Sequence, residues 1–257
     1  MKDKLTIVIP THITPSAPKT DILKASLTSL ATFEEIHGCK CVITCDLDIN
    51  EPEKSHGYIQ NLMDLDFPFN IEITIVQNGQ QRANFLNGIK RVSTPYMLFW
   101  EHDWRFYSNL DLSFTKLIEV MNKYKFINTI FFNKRPNISL PYSCGDFILI
   151  HDFRVKEVPL LKTSKWSNNP NLSRISTWNE WWIPLLENAP INRSNPRKQV
   201  EAPLHYAYMK DMGVTNLQDV NPKKLHFLKA HDKWGMYSYG RKGHNKMVLH
   251  MDGNRSF

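Results

Sequence analysis

Residues 95–103 read PYMLFWEHD. Pro95 closes whatever precedes it, an apolar run from Tyr96 to Trp100 follows, and the run ends in Glu101, His102 and Asp103. A short unbroken apolar run, bounded by a breaker on one side and acids on the other, has the pattern of a strand buried on both faces of a parallel sheet. Its polar end then marks the sheet edge at which such folds bind ligands.

The same unit recurs three times upstream. Leu5–Pro10 is a β-branched apolar run leading into Thr11, Lys40–Thr44 ends in Cys45, Asp46, Leu47 and Asp48, and Ile71–Val76 is broken by Gly79. Helical spacing fills the intervals. Leu23, Leu27, Leu30 and Phe33 recur over Ile22–Ile36, with Asp21 as N-cap and Gly38 as stop; a second helix is expected over Ser55–Leu65. Arg82–Val92 carries Phe85, Leu86 and Ile89 as an apolar face, with Asn84 and Asn87 read as surface residues. The order β-α-β-α-β-α-β predicts an α/β fold: a mostly parallel central sheet flanked by helices, with right-handed crossovers. It brings Thr11, Asp46, Asp48, Glu101 and Asp103 to one edge. Two carboxylates two residues apart there suit a hard divalent cation that keeps water and bridges a diphosphate, although strand-end acids also serve as turn formers.

Beyond residue 105 the pattern loosens. A helix is expected over Leu112–Tyr124, strands over Thr129–Asn133 and Phe147–His151, and a loop at Asn168–Pro170. Ser176 or Thr177 caps a helix through Trp181 and Leu186 despite Pro184. From Pro190 onward, Pro, Gly, Asn and basic residues dominate, and the segment reads as irregular.

A chain of 257 residues with 42% hydrophobic content suits one domain with a sizeable core. Its apolar runs fall far short of the roughly 20 residues that cross a bilayer. Cys39, Cys41 and Cys45 cluster while Cys144 stands apart, which is no disulfide framework; a zinc site lacks paired knuckles, so buried reduced thiols are expected. The net charge of +7 points to an anionic partner: a nucleotide diphosphate, lipid headgroups or nucleic acid. Basic residues concentrate modestly at Arg193–Lys198, Lys223–Lys233 and Arg241–Lys246. No nucleic-acid motif or basic-aromatic sheet pattern is present, so nucleic acid is set aside.

Four segments, LTIVIPT at 5–11, CDLD at 45–48, QRANFLNGI at 81–89 and PYMLFWEHD at 95–103, resemble in order and spacing the signatures of family 2 glycosyltransferases of the GT-A fold. The resemblance implies one GT-A domain over residues 1–257, with a nucleotide-sugar half (1–105) and an acceptor half with a C-terminal loop (106–257). It implies metal-dependent, inverting transfer from a nucleotide diphosphate sugar donor to a carbohydrate or lipid-linked acceptor. Pro10 and Thr11 would line the base pocket, Asp46 would meet base or ribose with Asp48 beside it, and Arg82 would reach the diphosphate. Asp103 takes the place of the acid closing the family's DxD motif. This chain reads ExD, so Glu101 is either a ligand of the Mn2+ or Mg2+ or a ribose partner, with His102 between them. His250 is similar to the histidine that GT-A enzymes add to the metal, with His231 and His244 as alternatives. Arg241, among Gly235, Gly240 and Gly243, would sit on a loop closing over the diphosphate. The expected location is the cytoplasm, with at most peripheral membrane contact.

Inverting transfer also needs a base for the acceptor proton. Glu180, in WNEWW at 178–182, is the candidate, because sugars stack on indoles and desolvation raises a carboxylate's basicity. The plainer reading is a Trp-packed helix with Glu180 exposed. Asp152 is the reserve. A sugar nucleotidyltransferase would share the acids but carry a glycine-rich loop after the first strand, and His12–Lys19 has no glycine. A GT-A-like protein that binds sugar or nucleotide without catalysis is the non-enzyme alternative.

Overall fold

A computed structural model describes residues 1–12, 18–138, 150–190, 200–216, 219–221 and 223–251. Most of the His12–Lys19 loop, Cys144, the start of the Phe147–His151 strand, the Arg193–Lys198 cluster and Asp252 lie outside the described residues.

The expected first half is present: β1 (Leu5–His12), α1 (Asp21–Ala31), β2 (Lys40–Leu47), α2 (Pro52–Met63), β3 (Asn70–Gln77), α3 (Gln80–Ile89) and β4 (Tyr96–Phe99). β1 pairs in parallel with both β2 and β4, and β2 with β3. Helix α1 is shorter than its apolar spacing suggested. Asp21 is its first residue rather than its cap, and a separate 3₁₀ turn at Glu34–Ile36 carries the chain to Gly38.

The second half is more regular than its composition indicated. It contains β5 (Trp104–Phe106), α4 (Phe114–Lys123), β6 (Thr129–Phe131), β7 (Ile150–His151), β8 (Leu160–Lys162) and β9 (Asn171–Arg174). A continuous helical stretch follows: α5 (Ile175–Thr177), a π-helical turn at Trp178–Trp182 and α6 (Ile183–Asn188). Past Pro190, where loops were expected, stand α7 (Glu201–Asp211), α8 (Leu225–Trp234), β10 (Met236–Tyr239) and β11 (Val248–His250).

Nine strands form one sheet in the order β3-β2-β1-β4-β9-β6-β10-β8-β7, in which β8 and β9 run against the others. The sheet is thus mostly parallel, as expected, with β9 inserted antiparallel beside β4. β5 and β11 form a separate antiparallel pair at the edge of the site.

Period-two alternation sorts the strands' side chains onto two apolar layers. Leu5, Ile7, Ile9, Cys41, Ile43, Cys45 and Leu98 face α1, α2 and α4, whereas Val8, Met97 and Phe99 face α3, the tryptophan helix and α7–α8. Cys39, Cys41 and Cys45 are free and buried in the first layer. Burial pushes the Cys45 thiol up to about 12 and raises Cys41 further, so these are core residues without thiolate character.

Gly235 shows how tightly the second half is packed. It ends α8 at φ +59°, its N–H donates to the His231 carbonyl at 2.7 Å, and its own carbonyl accepts from the N–H groups of Asn128 and Thr129. A Cβ there would lie 2.1 Å from the Phe126 carbonyl oxygen. Left-handed strain and a backbone clash add, so Gly235→Ala is expected to destabilise the fold by about 3 kcal/mol or more. Chemical denaturation checks this, with the Gly213→Ala variant as reference: it shares the left-handed φ of +70° but meets nothing within 4 Å.

Candidate functional site

The carboxyl ends of β1, β2 and β4 meet. His12 pairs in register with Asp46, and Val8 with Phe99. Beyond β4 the pairing continues through two N–H donations, Trp100 to the Val8 carbonyl at 3.0 Å and His102 to the Pro10 carbonyl at 3.4 Å. Glu101–Asp103 therefore runs beside Pro10–His12, and the His12 and His102 rings touch edge to face with centroids 4.9 Å apart. Asp46, His12, His102 and the two acids flanking it occupy one edge.

The acids are electrically unequal. The Asp103 side chain is buried, and its Oδ2 accepts from His250 Nε2 at 2.8 Å. Burial would raise Asp103, but the His250 hydrogen bond and nearby imidazole charge outweigh it and hold this carboxyl below its ordinary range. Its second oxygen, Oδ1, is buried with no hydrogen-bond partner among the described residues. Glu101 goes the other way: desolvation first, then the neighbouring Asp103 and more weakly Glu201, push it up to about 8. Trp104 donates its indole N–H to Glu101 Oε2 at 3.3 Å and packs edge-on against His250, with centroids 4.7 Å apart. His250 reaches this place because β11 pairs with β5, which puts it opposite Trp104, and the N–H of Met251 locks onto the Asp103 carbonyl at 2.7 Å.

Two crowded carboxyl groups sharing one imidazole, with one oxygen buried and unsatisfied, are a donor set in need of a cation. Among the described residues no three His, Cys, Asp or Glu side chains close into a complete metal group. The set therefore fits an ion that takes one or two carboxylates and fills its shell with water and phosphate oxygens, as Mg2+ does.

Asp46 lies at the β2 tip of the edge. Desolvation raises it, while the backbone N–H groups of Gly79, at 2.9 Å, and Gln80 stabilise its charge. The turn that delivers them holds two non-glycine residues at positive φ, Asn78 at 47° and Gln80 at 57°. Strained backbone of this kind concentrates at ligand sites.

Other expected contacts resolve differently. Thr11 is 1% exposed; its hydroxyl bonds to Tyr58 Oη at 2.7 Å, and its carbonyl accepts from Asn84 at 2.7 Å. Its hydroxyl is already committed. Asn84 and Asn87 are not surface residues: they bond Thr44 and Thr74 and moor α3 to the strand tips. Asp48 accepts from the backbone and side chain of Asn50, closing a turn. Arg82 places its guanidinium on the carbonyls of Ala189 at 2.7 Å and Pro190 at 3.2 Å, capping α6 where a diphosphate contact was expected.

Glu180 is not brought to this edge. β9 runs antiparallel to β4 and ends at Arg174 opposite Tyr96, so the helical stretch starts from the far end of the sheet. Trp178 and Trp182 face inward into a cluster with Trp166 and Trp234, and Glu180 between them is exposed on the outer face. The plainer reading holds here. Asp152 sits at the β7–β8 end of the sheet, where Arg154 grips it through Nε at 2.9 Å and Nη2 at 2.6 Å and Tyr237 donates at 2.9 Å. Burial would raise this carboxyl, but those bonds depress it well below the carboxylate range, so it is a structural anchor and a poor base. His231 is fully buried, its Nε2–H donating to the Met236 carbonyl at 2.6 Å. His244 turns its Nδ1 to the Asn245 carbonyl at 2.9 Å, which leaves His250 as the imidazole at the acids. The Arg241 loop is not a free hinge: Asn137 binds the carbonyls of Tyr239 and Arg241, and Asn133 that of Asn245.

Three residues enter that the sequence reading passed over. Trp104 stands directly after the ExD acids, and its position was the available signal. Glu201 opens α7, pairs with Lys165 at 3.2 Å, and lies near enough for its charge to add to the Glu101 shift. His205, one turn on, is pushed down to about 4 by burial and then by Lys165, so it stands neutral beside them. A lone acid ahead of Ala202–Pro203 in a loop-like composition gives no sequence signal.

No protein-family model matches the sequence, and no curated protein matches it. Solved structures similar in fold include S. aureus TarS. Residues 1–349 of TarS in complex with UDP-GlcNAc align at 10% identity and a TM-score of 0.43, covering 69% of this chain and 47% of that one. The same segment in complex with UDP aligns at 11% and 0.45, covering 88% and 63%. A longer TarS structure aligns at 10% and 0.44, covering 77% and 32%. The chain thus spans less than two thirds of each, and at these identities and scores the likenesses carry nothing further over to it.

Proposed function

We propose that this protein is a metal-dependent, inverting glycosyltransferase that moves a sugar from a nucleotide diphosphate donor to an acceptor hydroxyl. The observation that carries the reading is the paired carboxyls Glu101 and Asp103, latched by His250 and with Asp103 Oδ1 unsatisfied, on the sheet edge that also holds the Asp46 cradle. Asp103, with Glu101, would hold Mn2+ or Mg2+, and His250 would orient the Asp103 carboxylate. Such an ion, when bound, offsets the charge that develops on the departing diphosphate.

The chain's own groups do the rest. Asp46, its carboxylate fixed by the Gly79 and Gln80 N–H groups, accepts a hydrogen bond from the nucleobase or ribose, and Pro10, Thr11 and Tyr58 wall that pocket. His102 and His12 line the passage between nucleotide and acids. Trp104 orients Glu101 and supports His250. Glu201 takes the acceptor proton in place of Glu180, with Lys165 fixing its carboxylate.

Thermal denaturation across a panel of UDP, GDP, CDP and ADP, with and without Mn2+, tests the reading. One diphosphate is expected to raise the melting temperature only when Mn2+ is present, since a ligand of the folded state stabilises it in proportion to saturation. No response to any diphosphate with the metal would refute it.

A further inference from the structure

We propose that β3 pairs antiparallel with β3 of a second copy of this chain, joining two sheets into one across a two-fold axis at Thr74. β3 (Asn70–Gln77) is an outer strand of the nine-stranded sheet and pairs with β2 alone. Asn70 donates its N–H to the Cys39 carbonyl at 2.9 Å, and Asn78 its N–H to the Leu47 carbonyl at 3.0 Å. Backbone groups alternate along a strand, so the even-numbered residues face β2, and Ile71, Ile73, Ile75 and Gln77 turn their N–H and C=O groups outward. Among the described residues no other segment bonds to these groups.

Exposed strand edges are normally blunted by proline, lysine, a bulge or shortness. NIEITIVQ runs for 8 residues without proline or lysine, and its one charged residue, Glu72, is tied within its own chain to Lys40 at 2.7 Å and Arg91 at 2.8 Å. The opposite edge of the sheet is β7, which has 2 residues among those described. It is too short a template for β3 of another molecule, so head-to-tail growth is disfavoured and a closed, symmetric pair remains.

The residues of β3 select the register. With Thr74 opposite Thr74, Ile71 faces Gln77 and Ile73 faces Ile75, so every outward residue meets an outward residue and exchanges both hydrogen bonds with it. Sliding the pair by one repeat leaves an outward residue at the strand end without a partner. Glu72 then lies opposite Val76, whereas Glu72 against Glu72 would set like charges face to face. Ile71, Ile73 and Ile75 share one side of the strand; the first two pack partly on the core beneath, and Ile75 is 44% exposed. Interleaved with the same residues of the second copy, they carry that apolar layer across the junction. Ile49, 59% exposed, adds apolar surface at the strand's end, where its N–H donates to Asn78 Oδ1 at 3.4 Å. A single ladder buries less area than a standard interface, so association on the order of micromolar is expected. Gln77 runs straight into the turn whose Gly79 N–H holds Asp46, so pairing would steady that turn as well. Dimerisation and sugar transfer are separate readings, and either can fail without the other.

Sedimentation velocity of the full chain from about 1 to about 100 µM is the test, with a concentration-dependent shift from monomer to dimer expected. Ile75→Pro removes an outward N–H and leaves the bonds to β2 in place, and Ile75→Lys sets a cation on the edge; each should weaken association at least about tenfold. A melting temperature like the wild type's shows that the variants are folded, and the lysine variant carries the test if the proline variant is not. Thr74 of the two copies would form a closely spaced pair with Cα atoms about 4.5 Å apart, within reach of a disulfide. Thr74→Cys should therefore cross-link into dimers under mild oxidation that leaves the wild type, with its own cysteines, uncross-linked. A monomer at every concentration, folded Ile75 variants that associate like the wild type, or a Thr74→Cys variant that cross-links no more than the wild type would each overturn the assignment.

Discussion

Asp103→Asn is expected to lower sugar-transfer turnover by at least a hundredfold and to remove the Mn2+-dependent part of the thermal response to the donor nucleotide. The substitution preserves shape, and the backbone contact from Met251 to the Asp103 carbonyl does not depend on the side chain. What it removes is the charge that His250 recognises at 2.8 Å and an anionic Oδ1 that no donor among the described residues satisfies. Losing one preorganised electrostatic contact at a reacting centre costs on the order of a hundred- to a thousandfold in rate. His250→Ala should cost less, because it removes the latch on Asp103 but leaves both carboxyl groups. A fold effect is separable: Asp103→Asn without metal should melt within a few degrees of the wild type, since the lost His250 ion pair is offset by relief of the like-charge repulsion that adds to desolvation at Glu101. Wild-type turnover in Asp103→Asn would remove the metal reading.

The half of the site that was legible in the sequence is the half built from consecutive strand tips. Apolar runs with polar ends are local patterns, and parallel pairing of β1, β2 and β4 turns them into one edge without further information. The assignments that shifted depend on where distant segments pack. Arg82 has the position of a phosphate contact, but the helical stretch 175–188 ends against α3 and offers it two carbonyls. Glu180 has suitable chemistry in WNEWW, yet the antiparallel insertion of β9, invisible to hydrophobic pattern, starts its helix from the wrong end of the sheet and turns its carboxyl outward. Asp152 follows a strand like a site acid does, but its strand lies at the sheet's far end and Arg154 claims it. His250 was legible only by resemblance, because nothing local in MVLHM announces that it will pair with Trp104.

The same topology moves the search for a base to α7. In an inverting transfer the acceptor hydroxyl must lose its proton on the face of the sugar opposite the leaving diphosphate, so the base lies close to the metal acids without binding the metal itself. Glu201 is the acid we propose for that place. It is partly exposed, it begins a helix whose N–H groups favour a carboxylate, and its charge is felt at Glu101. Lys165 holds it at 3.2 Å. Glu201→Gln should therefore depress turnover by about a hundred- to ten-thousandfold, the range contributed by a positioned general base, while donor binding in the presence of Mn2+ stays as in the wild type. Glu180→Gln, on the exposed face of the tryptophan helix, should leave turnover within about twofold, as surface substitutions away from a site do. Asp152→Asn should act on stability instead, because it leaves Arg154 and Lys162 facing a neutral group in a largely buried cluster. Measuring kcat and donor affinity for the three variants side by side separates the roles. If Glu180→Gln were the inactive one and Glu201→Gln the silent one, the acceptor would have to approach from the other end of the sheet, and the placement of the reaction at the β1–β2–β4 edge would fall with it.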